Sequence, residues 1–376
     1  MQHLGVGACE SCCWMARRSP WQAEGEESGL LLLDARVNAT CEKGCFEVMV
    51  EITIRTVLVL TASTVSCLHV GRGRAPIASA AAAQRVCSPG TLAARVEEAV
   101  CTVYGADGTE RVRLSLSKLS AGVPLERTLD PAHELMVQQA NSYIEDLSAV
   151  PWHDASKYRW AGKLEQKWTV VRDELRAALR DSGKLEALGN NVWGGLDESI
   201  KEYGTDWKTL PLCDRTVWDP VNSALFPKTC ALLTKSKVPL IEAFFAKMEP
   251  HSDIKPHSDM CNFVLTSHLG VDVPEGECDL TVGDETVEWK NGKVLLFDTS
   301  ILHSAENRAP VTRYILMLRV YHPELSALER SAMQLVFDCL DEPELLDDHE
   351  ALSEYDLRRR ALEAASRQAW EGKRRR

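Results

Sequence analysis

The segment from residue 240 to residue 323 is a succession of short strand-like stretches separated by turn signals. Within DLTVGDETVEWKNGKVLLFD, the dipeptides Gly283-Asp284 and Asn291-Gly292 mark two turns between stretches rich in Val, Thr and Leu. The segment thus consists of short strands linked by turns that contain Gly and Asn. They predict a β sandwich or a β barrel.

Helical patterns flank this segment. Residues 130–150, which begin with Asp-Pro, and residues 163–188 have apolar side chains at helical spacing. We therefore predict a helical region over 127–190, a β core over about 225–323, and a helical, charged C-terminal extension over 328–376. The stretch between the helices and the strands is rich in Trp, Asp and Pro and is typical of loops with short elements.

Composition excludes one broad class of partner. The chain is 45% hydrophobic and 26% charged, which is typical of a soluble globular protein, and its net charge is −12. A protein that binds the phosphate backbone of nucleic acid is usually basic. We expect no nucleic-acid partner.

The cysteines do not indicate a disulfide framework. There are 13 of them, an odd number, and eight precede residue 102. An N-terminal group could be drawn as a zinc cluster, but its spacing fits no common zinc pattern and no histidine pair follows. That group is Cys9, Cys12, Cys13, Cys41 and Cys45. The later cysteines are scattered singly, so we predict that they are small buried side chains.

The first 120 residues have the composition of a leader, either a targeting segment or a disordered one. IRTVLVLTASTVSCLHV has the length of a signal-peptide core, and the following GRGRAPIASAAAAQRV lacks acidic residues, as transit peptides do. Residues 49–90 thus suggest a secretory (endoplasmic reticulum) or plastid route, with a cytoplasmic protein as the alternative if the leader is not a signal. A start at Met49 instead of Met1 would place this signal at the N-terminus. Membrane association is expected only through the leader.

One tripeptide occurs twice, as His251-Ser252-Asp253 and His257-Ser258-Asp259. A non-haem iron site takes two imidazoles and one carboxylate and leaves other positions open, so His-x-Asp can supply two of its ligands. The first copy lies between two prolines and is typical of a turn. The second copy leads into the strand-like NFVLTSHLG. Context therefore favours the second copy.

A second histidine and an arginine follow on later strands. His303 precedes Arg313 by ten residues, and the alternation of TRYILMLRVYHP places Arg313 and Arg319 on one face of a strand. The planar guanidinium of arginine pairs well with a carboxylate. The pattern predicts a metal centre with a carboxylate anchor beside it. The alternatives are polar side chains satisfied in a barrel mouth and an ordinary ion pair.

Two longer stretches, PHSDMCNFVLTSHLGV and VGDETVEWKNGKVLLFDTSILHSAENRAPVTRYILMLRVYHPEL, resemble the aspartyl/asparaginyl β-hydroxylase family of Fe(II)/2-oxoglutarate-dependent oxygenases. The family motifs PH-x-[GD]-x-x-N, HLG, W-x-x-G-x-x-x-x-FD and H-x-x-x-N, an arginine and a closing HP all stand in this chain. The resemblance extends more weakly upstream and covers roughly residues 127–327, and we set the oxygenase domain at 121–327.

The resemblance implies a mainly β fold, a double-stranded β-helix (jelly-roll, cupin-like) with flanking helices. It also implies Fe(II), 2-oxoglutarate as cosubstrate and O2, with ascorbate as a supporting reductant. The residues that match the catalytic, iron-binding positions are His257, Asp259 and His303. The residues expected at the cosubstrate are Arg313, His268 and Asn262.

The implied reaction is hydroxylation of an unactivated C–H bond, foremost of an aspartyl or asparaginyl residue in a peptide or protein. The alternatives are a lipid or free amino-acid hydroxylase of the same family and a catalytically silent binding module. The animal peptide hydroxylases carry Gly at the position of Asp259, whereas bacterial lipid-modifying relatives carry Asp. Two further departures affect the pocket: Thr266 stands where the family often has Arg, and Ala246 stands where the animal enzymes have Ser.

Overall fold

The computed structural model describes residues 89–195 and 204–372. The helices are α1 (Pro89–Tyr104), α2 (Glu110–Ser120), α3 (Arg159–Leu179), α4 (Ser182–Leu188), α5 (Asn222–Leu225), α6 (Pro227–Ser236), α7 (Ala327–Asp341), α8 (His349–Ser353) and α9 (Tyr355–Glu371). The strands are β1 (Leu125–Thr128), β2 (Val137–Ala140), β3 (Gly194–Gly195), β4 (Trp207–Asp214), β5 (Val217–Trp218), β6 (Leu240–Met248), β7 (Ser252–His257), β8 (Val264–Asp272), β9 (Cys278–Val282), β10 (Glu285–Glu288), β11 (Val294–Phe297), β12 (His303–Asn307) and β13 (Arg313–Tyr321).

Two antiparallel sheets form the centre of the fold. The larger sheet has the order β11-β8-β13-β6-β4-β3, with β5 paired to β4, and the smaller has the order β10-β9-β12-β7. Both contribute side chains to one interior cluster, among them Phe244 and Ile315 from the larger sheet and Leu280 and Ala305 from the smaller. Strands that alternate between two sheets around a shared interior form a double-stranded β-helix. The predicted fold class is confirmed.

The strand β13 shows how the larger sheet separates two cores. Ile315 and Met317 pack into the interior cluster, whereas Leu316 and Leu318 belong to a second cluster on the outer face. Helices α3 and α6 cover that outer face through buried apolar residues at helical spacing. The predicted alternation of this strand is confirmed, and it directs Arg313 and Arg319 to the interior side.

Two glycines permit a close approach between β8 and the turn before β11. A Cβ on Gly270 would lie 2.3 Å from the carbonyl oxygen of Lys290, and the carbonyl of Gly270 accepts a 2.9 Å hydrogen bond from the amide of Gly292. Gly292 has φ +74° and packs under the ring of Trp168. Only glycine adopts such a position without strain. The predicted Asn291-Gly292 turn is thereby confirmed, and it holds β8 in place.

Residues 130–150 are not the predicted helix. They contain β2, which pairs with β1, and the amide of Gln139 donates to the carbonyl of Ser300 while the amide of Leu302 donates to that of Val137. The backbone groups of this stretch thus find partners in the segment before β12, and this tertiary pairing outweighs the local helical spacing. The predicted helical region 127–190 is corrected to α3 and α4.

The β core also begins earlier than predicted. β4, inside the Trp- and Pro-rich stretch expected to form loops, pairs along most of its length with β6. Residues 227–236, placed in the predicted β core, instead form α6. The sequence of β4 lacks clean alternation because nearly all its side chains are buried on both faces.

Two helices lie inside the segment predicted to be leader. Val96 and Val100 of α1 and Leu116 of α2 are buried in a cluster with Phe337 of α7. Residues 89–120 therefore belong to the folded domain, and the predicted boundary at residue 120 is corrected, because the apolar faces of both helices bury against α7. The predicted signal in residues 49–88 and the start at Met49 lie outside the described residues. Within those residues, none of the helices has the length and apolar character needed to cross a membrane.

The later cysteines are buried side chains, as predicted. This holds for Cys213, Cys230, Cys261, Cys278 and Cys339. The N-terminal cysteines from Cys9 to Cys45 lie outside the described residues.

Candidate functional site

Three buried side chains meet where the smaller sheet opens to the interior. His257 ends β7 and His303 begins β12, and the two residues are direct cross-strand partners. Asp259 follows β7 by two residues, and its Oδ1 atom lies 3.8 Å from Nε2 of His257 and 3.9 Å from Nε2 of His303. One nitrogen or oxygen atom from each residue lies within 4.8 Å of the others, and together they could hold a metal ion.

The backbone fixes the orientation of both imidazoles. Nδ1 of His257 lies 2.7 Å from the carbonyl oxygen of Lys255, and Nδ1 of His303 lies 3.0 Å from that of Ile301. A carbonyl only accepts, so Nδ1 carries a hydrogen in each ring and Nε2 is the nitrogen that faces Asp259. Burial and the neighbouring His257 lower the pKa of His303 to about 4. The ring of His303 is therefore neutral at physiological pH, as a metal ligand must be.

The two carboxylate oxygens of Asp259 face different groups. Its Oδ1 faces the histidines, while its Oδ2 accepts a 2.9 Å hydrogen bond from Nη1 of Arg319. Burial acts to raise the pKa of Asp259, but the charges of Arg319 and the two histidines outweigh it and hold the pKa below its usual value. Sequence reasoning placed Arg319 on the correct face of β13 but gave it no role. The sequence feature that could have indicated a role for Arg319 is its position six residues after Arg313, on the same face of the strand.

Arg313 is a buried cation without a carboxylate partner among the described residues. It is 1% exposed, and its guanidinium carbon lies 4.4 Å from the centre of the Trp289 ring. Nη2 lies 3.1 Å from the sulfur of Met248, but Nε and Nη1 have no hydrogen-bond partner in the part of the chain that the structure describes. Burial lowers the pKa of Arg313 to about 10.

His268 adds a further unpaired donor beside Arg313. Nε1 of Trp289 donates a 3.2 Å hydrogen bond to Nδ1 of His268, so the hydrogen of this neutral ring resides on Nε2. That Nε2 is buried and has no partner within residues 89–195 and 204–372. Burial, and then the charge of Arg313, hold the pKa of His268 well below its usual value. A buried cation without a carboxylate partner among the described residues and a buried N–H donor next to it could together bind an anion.

The side-chain amide of Asn262 is hydrogen-bonded to the backbone of Ile144. Its Oδ1 accepts from the amide of Ile144 at 2.9 Å, and its Nδ2 donates to the carbonyl of Ile144 at 2.9 Å. The side chain thus ties the loop after Asp259 to the segment after β2. The contact of Asn262 with the cosubstrate stays a prediction. Its hydrogen bonds to Ile144 hold the loop after Asp259 in place.

Asp298 does not orient the histidines, because the carbonyls of Lys255 and Ile301 do so. Its Oδ1 accepts from the amide and the hydroxyl of Ser300, and its Oδ2 has no partner among the described residues. Burial raises the pKa of Asp298 to about 7. This carboxyl is a buried group close to its titration point at neutral pH.

The first copy of the doubled tripeptide lies outside the site. His251 adopts φ 53° in the turn between β6 and β7, as the turn prediction implied. Asp253 lies on β7 itself, where it is exposed and pairs with Lys255 at 2.6 Å. Thr266 and Ala246 are both buried in the larger sheet, opposite Arg319 and Ile315 respectively.

Comparison with known proteins identifies the family of this domain. The family model described as Aspartyl/Asparaginyl beta-hydroxylase matches residues 165–323. The aspartyl/asparaginyl beta-hydroxylase of Homo sapiens is 30% identical over 212 residues, which cover 54% of this chain and 27% of that protein. These residues belong to the aspartyl/asparaginyl beta-hydroxylase family.

A second relative has a name that denotes a lipid hydroxylase. The ornithine lipid ester-linked acyl 2-hydroxylase of Rhizobium tropici is 30% identical over 191 residues, which cover 50% of this chain and 66% of that protein. The chain therefore spans about a quarter of the length of the human relative and 66% of the bacterial one. Among solved structures, a cupin 2 conserved barrel domain protein from Salinispora arenicola covers 37% of this chain and 91% of its own, with 12% identity and a TM-score of 0.23.

Proposed function

We propose that this chain is an Fe(II)/2-oxoglutarate-dependent dioxygenase that hydroxylates an unactivated C–H bond. The observation that carries the proposal is the pairing of two sites in one barrel interior. One site offers two imidazole nitrogens and an ionised carboxylate, and the other offers a buried cation that lacks a counter-ion among the described residues. Membership of a hydroxylase family supports the same conclusion.

The residues that would hold the metal are His257, His303 and Asp259. Two neutral imidazoles and one carboxylate with open positions are the ligand set of non-haem Fe(II) oxygenases. When bound, ferrous iron with 2-oxoglutarate and O2 supplies the oxidising power that places a hydroxyl group on carbon and leaves succinate and CO2. The chain's own contribution is to direct Nε2 of both histidines inward, to keep that of His303 unprotonated, and to keep Asp259 ionised while buried.

Arg313 and His268 would bind the distal carboxylate of 2-oxoglutarate. Nε and Nη1 of Arg313 and Nε2 of His268 are donors that a carboxylate would satisfy, and the planar guanidinium allows two parallel hydrogen bonds. Trp289 and Met248 enclose the guanidinium with apolar surface, which excludes water and strengthens the ion pair. A 2-oxo acid without a second carboxylate would leave these donors unpaired.

The substrate class we put first is an aspartyl or asparaginyl residue of a peptide or protein, in line with the human relative. The lipid alternative is favoured by two observations. The Rhizobium relative, whose name denotes an acyl 2-hydroxylase, is matched over 66% of its length, and the site here includes the carboxylate of Asp259. A free amino acid is a third class. The complete set of three ligand residues argues against a silent binding module.

Succinate formation tests the proposal. The full chain is purified without oxygen and supplied with Fe(II), 2-oxoglutarate and ascorbate before air is admitted. We expect succinate that depends on iron and disappears in His303→Ala. Stimulation by an Asp- or Asn-containing peptide, but not by an acylated lipid, would support the first substrate class, and the reverse would support the lipid class. Equal succinate from the wild type and His303→Ala would contradict the proposal.

A further inference from the structure

Arg319 contacts the carboxylate of Asp259 in a way that assigns each oxygen a separate partner. Nη1 of Arg319 lies 2.9 Å from Oδ2, whereas Oδ1 is the oxygen that faces the two histidines. The arginine is 5% exposed and Asp259 is 2% exposed, so this is a buried ion pair. The contact with Arg319 and the approach to the histidines thus involve different oxygens of the one carboxylate.

The position of Arg319 in the sheet explains how it reaches this oxygen. β13 lies between β8 and β6, and Arg319 is directly opposite Thr266 on the first and Glu242 on the second. The register with β6 shifts between Arg319 and Val320. This shift comes after Arg319, whose own side of the sheet is set by the alternation of β13. Thr266 is small and uncharged, so it leaves space on the β8 side for the guanidinium.

The charges around Arg319 favour a role in orienting the carboxylate of Asp259 over a general structural role. Glu242 stands beside it on β6, and Cys261 presents its sulfur 3.9 Å from Nη2. The cation therefore sits between acidic groups, one of which is a residue of the metal site. Its hydrogen bond to Oδ2 restricts rotation of the Asp259 carboxylate, because partial rotation of the group would move the bonded oxygen away from the guanidinium.

We propose that Arg319 is a positioning residue that presents Oδ1 of Asp259 to the metal. The inference rests on the proposed function, since it requires that Asp259 is a ligand. Arg319 fixes the ligand oxygen before the metal arrives, so that binding does not have to order a mobile carboxylate. Groups that orient metal ligands in this way typically change metal affinity by about 10- to 100-fold when they are removed.

Metal affinity, measured without turnover, tests the inference. Mn(II) is titrated into the full chain by calorimetry in the absence of 2-oxoglutarate. We expect Arg319→Met to weaken Mn(II) binding by about 10- to 100-fold. Arg319→Lys, which restores the charge and one donor, should recover part of the loss. Arg215→Met serves as the matched control, since it removes another mostly buried arginine that pairs with an aspartate, Asp214, without touching Asp259, and it should bind Mn(II) like the wild type.

A double-mutant cycle separates positioning from folding. In the Asp259→Gly background the carboxylate is absent, so adding Arg319→Met should have no further effect on Mn(II) affinity. Thermal unfolding is recorded for each variant, and Arg319→Gln, which keeps an N–H donor, replaces the methionine variant if that protein does not fold. The inference is overturned if the Arg319 variants bind Mn(II) like the wild type, or if the loss is the same with and without Asp259.

Failure of the proposed function gives a different result. A wild type that binds no Mn(II), or binds it as tightly as His303→Ala does, overturns the metal site and with it the role of Arg319. A wild type that binds Mn(II) through His303 but is indifferent to Arg319 overturns only the inference.

Discussion

Nε1 of Trp289 donates a 3.2 Å hydrogen bond to Nδ1 of His268, and the same indole ring lies under the guanidinium of Arg313. One side chain thus contacts both groups of the proposed carboxylate-binding site. The hydrogen bond selects the tautomer of His268 that carries its hydrogen on Nε2, and the ring face stabilises the cation. The tryptophan of the W-x-x-G motif therefore has a specific task in addition to filling the core.

Trp289→Phe should keep the aromatic face under Arg313 but lose the hydrogen bond. Without this donor, Nδ1 of His268 is free to hold the hydrogen, and Nε2 then becomes an acceptor that repels a carboxylate. One hydrogen bond contributes about 1 kcal/mol, so we expect 2-oxoglutarate affinity to fall by roughly 3- to 10-fold. Calorimetry with the Mn(II)-loaded protein measures it. If His268→Ala and Trp289→Phe weaken binding additively, the two residues do not act as a unit.

Arg313→Met should weaken the binding of 2-oxoglutarate and at the same time stabilise the ligand-free protein. Loss of two charge-assisted hydrogen bonds should weaken 2-oxoglutarate binding by about 100-fold or more. The ligand-free protein should become more stable, because burial lowers the pKa of Arg313 from 12.5 to about 10, and this cost of charge burial, at most about 3 kcal/mol at neutral pH, disappears. Chemical denaturation of the ligand-free protein measures the gain. A marked loss of stability would show that the cation has a counter-charge in the folded protein.

Asp298 should make stability depend on pH in an unusual direction. Its folded pKa of about 7 lies above the ordinary value of 3.8, so the unfolded chain loses the proton first. The free energy of unfolding should therefore fall through this group as pH rises from about 4 to 7 and then level off.

Asp298→Asn removes that dependence while it keeps an acceptor for Ser300. Its stability relative to the wild type should grow by about 2–4 kcal/mol between pH 4 and 7. Urea denaturation at several pH values measures this difference. A difference that stays constant with pH would mean that Asp298 is ionised in the folded protein throughout the range.

Gly270→Ala should disturb the junction between β8 and the turn that follows β10. The new Cβ would meet the carbonyl oxygen of Lys290 at 2.3 Å, and backbone on both sides leaves little room to move. We expect a loss of about 2–3 kcal/mol in the free energy of unfolding. Gly162→Ala is the control, since it lies in α3 with nothing within 4 Å of the new Cβ and should stabilise the helix slightly. Equal effects of the two substitutions on denaturation would refute this explanation of the HLG glycine.

The strands β8 to β13 could be predicted from the sequence because their signals are local. Alternation in TRYILMLRVYHP and the turn at Asn291-Gly292 depend on neighbouring residues alone. β2 was missed because its pairing with residues 300–302 overrides a helical spacing. β4 was missed because it is buried on both faces and so does not alternate.

In the candidate site, too, the sequence predicted some residues, whereas contacts between distant residues required the structure. The spacing of His257, Asp259 and His303 singled out residues that the fold brings within 4.8 Å of one another. The contact between Arg319 and Asp259 joins residues 60 positions apart, one on β13 and one just after β7, and the sequence does not reveal that the fold brings them together. The hydrogen bonds between Asn262 and Ile144 likewise could not be predicted from the sequence, because the two residues lie 118 positions apart.

The most direct test of the account is the binding of 2-oxoglutarate to the Mn(II)-loaded full chain, compared with 2-oxobutyrate, which lacks the distal carboxylate. We predict that the wild type binds 2-oxoglutarate far more tightly than 2-oxobutyrate, that Arg313→Met abolishes this preference, and that His303→Ala loses the metal-dependent part of binding for both ligands. Equal binding of the two acids by the wild type, or binding that neither substitution changes, would contradict a metal and cosubstrate site built from these residues.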